Sequence, residues 1–219
     1  VAEVVPINTT HKPLDALSAA NSSTRLGAAL AIGTHPEPDY IDPLIRRCAL
    51  EPDFYVRDML TWALTRHPAE ITVPKLRAEL RSDQAQARSQ ALHTLSKIAD
   101  RTAWPDITPA LLRDTDDEVA RAAWRAAVVL VPDDARPQLA AELTTQLGRG
   151  DREVQLSLSR ALTALGDTAE PALRTARTHP DPTVRAHAAA TERLLRDPDS
   201  GFHLAIDEAR RVAALGPDR

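Results

Sequence analysis

Seven arginines carry the most legible chemistry in this 219-residue chain: Arg46, Arg47, Arg77, Arg81, Arg113, Arg174 and Arg177. A guanidinium makes paired, charge-assisted bonds to carboxylate or phosphate, so arginines gathered on one surface would hold an acidic partner segment or a phosphate. The alternative is an ordinary charged surface, with these arginines paired to Glu79, Asp114 and Glu142. The histidines promise less. His35, His67 and His179 each precede a proline, as expected where a helix is ending. His93 and His203 lack ligand-like spacing, and His187 falls three residues after Val184 on an expected apolar face, where a buried, hydrogen-bonded ring is expected. Asp114, Asp116, Asp117 and Glu118 could suggest a cation site, but they also suit a turn and the first positions of a helix. Gly-rich phosphate loops, Cys-x-x-Cys pairs, His-Glu-x-x-His helices and Gly-x-Ser-x-Gly elbows do not occur. The chain therefore reads as a non-enzyme, with no catalytic residue, metal or cofactor expected.

The elements that would position these side chains follow from a repeated phrase. A capping residue stands three positions before an apolar anchor, in Ser23–Leu26, Asp53–Val56, Gln84–Ala87, Asp116–Val119, Asp151–Val154 and Asp181–Val184. An Asp or Ser oxygen accepts bonds from the free N–H groups of a first helical turn, and a carboxylate suits the positive end of the helix dipole. Gln84 is the weak copy. Apolar residues continue at helical spacing from each anchor, as in Val56, Met59, Leu60, Ala63 and Leu64.

A second phrase, Pro-x-Leu or Pro-Leu-Ile, begins at Pro43, Pro74, Pro109, Pro137 and Pro171 and is expected to open the partner helix, since proline in a first turn sacrifices no intrahelical bond. Three positions beyond these prolines stand Arg46, Arg77, Leu112, Ala140 and Arg174, so the arginine ridge is interrupted in the fourth unit. Two alternating helix types in a period of roughly 30 residues describe stacked helical hairpins, each burying its apolar face against its neighbours. The expected fold is all-α: an α-solenoid of about six antiparallel helix pairs over 13–215, with units near 22–50, 53–81, 84–113, 116–148, 151–178 and 181–215, preceded by a disordered or extended segment 1–12. Only seven glycines and 3% aromatics agree with a helical chain. The last unit pairs 184–195 with a terminal helix from Phe202 to Leu215.

The Asp-x-x-Val-Arg opening, complete at Asp181–Arg185 and at Asp53–Arg57, resembles the short HEAT repeats of phycobilisome-lyase-like proteins over about residues 22–215. The arginine after the anchor recurs at Arg57, Arg88 and Arg185 and is replaced by Gly27, Ala120 and Gln155. The resemblance implies a concave surface lined by the second helices, where the seven arginines would bind a partner. HEAT-like DNA glycosylases of the AlkD type use tryptophans on that surface, which directs attention to Trp62, Trp104 and Trp124. Trp62 and Trp124 flank the apolar stripes of first helices, where packing between repeats is the expected role.

The expected function is a protein-interaction scaffold or adaptor, monomeric, bacterial and cytoplasmic, holding a protein or acidic peptide in its groove. A formal net charge of −4 disfavours nucleic acid. An AlkD-like nucleic-acid-binding protein and an accessory subunit of a modifying enzyme are the alternatives. No run reaches transmembrane length, the start at Val1 lacks a signal-peptide pattern and reads as part of a longer chain, and the lone Cys48 has no intrachain partner. The sequons at Asn8 and Asn21 are read as chance.

Overall fold

The structure, a computed structural model, describes residues 11–197. Two compact units divide the chain, Val1–Asp100 and Arg101–Arg219. In the first lie α1 (His11–Ala16), α2 (Ser22–Thr34), α3 (Ile41–Leu50), α4 (Phe54–Thr65), α5 (Ala69–Glu79) and α6 (Ala85–Ile98). The second opens with a 3-10 segment, Arg101–Asp106, and continues through α7 (Pro109–Leu112), α8 (Asp117–Leu130), α9 (Arg136–Thr144), α10 (Arg152–Ala164), α11 (Glu170–Ala176) and α12 (Pro182–Arg196). Among the described residues there is no strand. The expected extended segment 1–12 lies outside the described residues except for its last two, which begin α1, and the expected terminal helix 202–215 lies outside them entirely.

Within each unit the helices stack as antiparallel pairs in two layers. The first helices α2, α4 and α6 are neighbours, with α3 packed on α4 and α6 and α5 on α6. In the second unit α8, α10 and α12 form the corresponding layer, and α9 and α11 back it. Leu60, Leu64, Leu92 and Leu95 fill the first core, and Trp124, Leu130, Leu143 and Leu158 the second. Leu60, Leu64, Leu95, Leu130 and Leu158 are apolar positions at helical spacing from the anchors, so the periodic stripe becomes the interior, while Trp124 lies beside that stripe and Leu143 comes from α9.

The caps form as their chemistry dictates, with two departures. Oδ1 of Asp53, Asp116, Asp151 and Asp181 accepts from N–H groups two or three residues on, whereas Gln84 makes no side-chain cap. In the first copy the cap is Asn21, not Ser23, and its Oδ1 accepts from Ser23 and Thr24. The opening phrase is thus displaced by two residues: its register is Asn21 to Arg25, and Leu26 is only half-buried. An asparagine is as good a cap as serine, and placing it there aligns Arg25 with Arg57, Arg88 and Arg185.

Proline placement is the second departure. Pro109, Pro137 and Pro171 occupy first or second helical positions, and Pro43 is the third residue of α3. Pro74, however, sits inside α5, which starts earlier because Pro68 supplies an extended N-cap. A proline there removes the bond to the carbonyl four residues back. Pro74 is exposed, so water can serve that carbonyl instead.

The approach of α2 to α4 requires one glycine. A Cβ on Gly33 of α2 would meet the Trp62 ring and lie 2.9 Å from the Ala63 Cα of α4. Gly27, on the same helix, has nothing within 4 Å of that position. Gly33→Ala is therefore expected to destabilise by about 1–3 kcal/mol through overpacking, while Gly27→Ala stabilises by about 0.5–1 kcal/mol through helix propensity. Urea denaturation of the two variants should show opposite signs.

Candidate partner-binding surface

Arg46, Arg47, Arg77 and Arg174 lie on second helices and Arg81, Arg113 and Arg177 just beyond their ends, and the seven do not share one state. Arg46 and Arg81 are exposed and Arg77 half-buried. Arg47 is committed internally: its Nη2 lies 2.8 Å from Glu51 Oε2. Arg113 grips Glu142, with Nη2 2.7 Å from Oε2, as the charged-surface alternative anticipates. Arg177 donates to Glu192 Oε2 at 3.0 Å, and Arg174 stands 3.8 Å from Glu170 Oε2 while remaining mostly exposed. Arg46, Arg47, Arg77 and Arg81 belong to the first unit, and Arg113, Arg174 and Arg177 to the second.

Glu51 is the centre of a buried charge cluster that the spacing of phrases did not reveal. Arg25 donates twice to its carboxylate at 2.7 Å, Arg47 adds Nε at 2.8 Å, and the Asp53 N–H adds another bond at 3.0 Å. Burial by itself would raise the carboxyl pKa, but the bonds from Arg25, Asp53 N–H and Arg47 overcome it and bring the pKa down to about 2. Gln86 Nε2 donates to the Cys48 and Glu51 carbonyls, crossing from α6 to the turn between α3 and α4. Burial pushes the adjacent Cys48 thiol up to about 12, which leaves it protonated and unreactive.

The arginine four places after each cap has one recurring task. Arg25 donates to the Ala19 and Ala20 carbonyls, Arg57 to Glu51 and Pro52, Arg88 to Ser82, and Arg185 to His179 and Pro180. Each reaches back five or six residues and ties the entering turn to its own helix. Gln155 substitutes with one bond, from Nε2 to the Gly150 carbonyl. Ala120 cannot, and Arg149 serves that turn from elsewhere, donating to the Asp114 carbonyl and to Asp117 Oδ1.

The remaining candidates are structural. Asp116 caps α8, Asp114 accepts from the Asp116 N–H at 3.0 Å, and Glu118 pairs with Arg121 at 2.8 Å. Among the described residues no group of three His, Cys, Asp or Glu side chains is placed to hold a metal. Trp124 is fully buried, and its Nε1–H donates to the Leu112 carbonyl at 2.9 Å; Trp62 lies on Gly33, and Trp104 is half-buried in the 3-10 segment. His187 is buried as expected. Its Nδ1 accepts from the Gly148 N–H at 3.0 Å, so the ring's proton is on Nε2, which faces the Gln155 carbonyl and Ser159 Oγ, each at 3.0 Å. A ring in that tautomer cannot take a proton from Ser159, so the pair is no activated nucleophile.

No protein-family model matches the chain, and no curated protein matches it. Among solved structures it is similar to one in the complex of CpcE and CpcF of phycocyanin lyase from Nostoc sp. PCC7120, at 17% identity and a TM-score of 0.41, covering 97% of each chain. A likeness at that level bears on neither partner nor reaction. Among the described residues no helix is long and apolar enough to cross a membrane.

What the geometry presents most plainly is a rigid, apolar turn. Leu50 closes α3 at 64% exposure, and Phe54 and Tyr55 open α4 at 65% and 74%. The two rings meet edge to face at 5.6 Å, and the Arg57 guanidinium lies 6.0 Å from the Phe54 centroid. Arg46 precedes Leu50 by one helical turn on the same face of α3. Glu51 lies within it, and the bonds it accepts from Arg25, Arg47 and the Asp53 N–H tie this turn to α2 and α3.

Proposed function

We propose that this chain is a non-catalytic protein-interaction module of the bacterial cytoplasm that binds a partner protein or peptide, with the arginines of the second helices as cationic contacts to its acidic groups. The observation that carries the reading is the α3–α4 turn. Large apolar and aromatic side chains that stay exposed on a rigid support, with arginine beside them, have the composition of interface hot spots, and ordering them costs little because the turn is already fixed.

The reading assigns Leu50, Phe54 and Tyr55 as apolar anchors and Arg46 as the nearest cation. Arg77 on α5 and Arg81 just past its end are further cations of the same unit, and Arg174 is an exposed cation of the other unit. Arg47, Arg113 and Arg177 are already held by Glu51, Glu142 and Glu192.

The test is capture of partners from native cell extract, quantified by mass spectrometry, with the wild-type chain and a Phe54→Ala/Tyr55→Ala variant. The variant is expected to lose at least one partner by about tenfold or more, since a hot-spot truncation costs about 2 kcal/mol or more. Arg46→Glu should weaken the same partner. An unchanged partner profile in both variants would overturn the assignment.

A further inference from the structure

A second surface, in the other unit, is built from the outward faces of α8 and α10. Beyond their first turns these helices carry Arg121, Arg125 and Arg160 and no acidic residue. Arg125 and Arg160 stand nine places after the caps Asp116 and Asp151, so they occupy the same position on two helices that pack side by side. Both are exposed, and neither makes a side-chain hydrogen bond or ion pair among the described residues. Arg121 already holds Glu118 at 2.8 Å.

The helix dipole does not account for this pair. A cation in a last helical turn is favoured by the dipole, but neither helix has a basic residue there. Crowding by neighbouring chain and the Arg121 charge, opposed by Glu118, hold the Arg125 guanidinium below its usual pKa. Val128, half-buried, and Val129, 40% exposed, continue the stripe one turn beyond Arg125.

We propose that the α8–α10 face is a docking surface for an acidic, amphipathic segment of a partner protein, whose carboxylates reach Arg125 and Arg160 while an apolar side chain covers Val129. Packed helices lie about 8–10 Å apart, which lets two long guanidinium stems serve carboxylates one helical turn apart on a partner. Charge complementarity selects the acidic class. The adjoining valines, and a run of only three arginines on a chain of net charge −4, favour a protein segment over a phosphate backbone, whose binding depends on many cationic contacts. This surface is separate from the α3–α4 turn and stands independently of it.

Fluorescence anisotropy of the full chain tests the proposal with three labelled probes: a 15-residue helical peptide carrying Glu pairs four apart around leucines, its Lys counterpart, and a 15-nucleotide single-stranded DNA. The acidic peptide is expected to bind, to weaken with added salt, and to lose at least about tenfold in affinity in Arg125→Glu/Arg160→Glu. Should charge reversal disturb folding by circular dichroism, Arg125→Gln/Arg160→Gln removes the charges and keeps the polar stems, and the same loss is expected. Phe54→Ala/Tyr55→Ala should bind this peptide as the wild type does. The proposal is overturned by absence of acidic-peptide binding, by equal binding to wild type and the glutamine variant, or by tighter binding of the DNA or the Lys peptide.

Discussion

Replacing Glu51 with alanine is expected to destabilise the protein by about 3–5 kcal/mol, because it strands two buried or partly buried guanidiniums without their carboxylate. Arg25 would keep its bonds to the Ala19 and Ala20 carbonyls, but Arg47 would lose the only acid it holds at close range. Removing both arginines as well should recover part of the loss, since much of the cost is uncompensated charge and not a missing attraction. Chemical denaturation of the single and triple variants measures this coupling; additive losses would contradict it. The cluster also fixes an acid response. Its folded-state carboxyl pKa, about 2, lies below the ordinary 4.5. The unfolded chain therefore binds the proton more readily, and the stabilisation is fully present above about pH 4.5 and is lost as pH falls through the interval down to about 2. Glu51→Gln should show a shallower decline over that interval. Parallel pH profiles for the two proteins would show that Glu51 is not the titrating group.

Trp124→Ala is expected to cost about 3–5 kcal/mol, the usual price of deleting a large buried aromatic. The ring is fully buried, donates to Leu112 and lies under the Arg149 guanidinium at 6.0 Å. Because Arg149 also holds the Asp114 carbonyl, losing the ring should loosen the α7–α8 turn, and amide exchange there should accelerate. Trp124→Phe keeps most of the packing but leaves the Leu112 carbonyl without its donor, at about 1–3 kcal/mol. Trp62→Ala, by contrast, removes a ring that is partly in water and should cost less than Trp124→Ala. If the two alanine variants lost equal stability, the distinction between a core tryptophan and a surface one would be wrong.

How much was legible in the sequence depended on whether a residue's role was local. Asp53, Asp116, Asp151 and Asp181 cap helices because a carboxylate two or three residues from a free N–H has little else to do, and spacing alone locates them. The misplaced first cap arose because Asn21, Ser22 and Ser23 are all competent caps, and Leu26 offered a false anchor. Pro74 misled for a similar reason: proline marks a helix start only when no earlier residue can begin the helix, and Pro68 does. The Glu51 cluster was invisible because Arg25 and Glu51 are 26 residues apart and Glu51 belongs to no repeated phrase. Phe54 and Tyr55 left a signal that composition makes noticeable. The chain has only two phenylalanines and two tyrosines, and one of each stands at the first two helical positions, where the other copies carry Ser, Ala, Gln, Asp, Glu, Arg, Pro or Thr.

The arginine four places after the cap has a consequence for how the chain can be rearranged. Where Arg25, Arg57, Arg88 or Arg185 secures a turn, the fastener and the thing fastened come from the same short segment, so that unit can be duplicated, transplanted or synthesised first and still close its own entrance. The turn before Asp116 borrows its fastener from Arg149, 35 residues beyond Asp114. Among the described cap turns, that is the one whose arginine comes from a later segment. A chain ending before Arg149, whether on the ribosome or by truncation, leaves α8 with a loose doorway until its successor arrives.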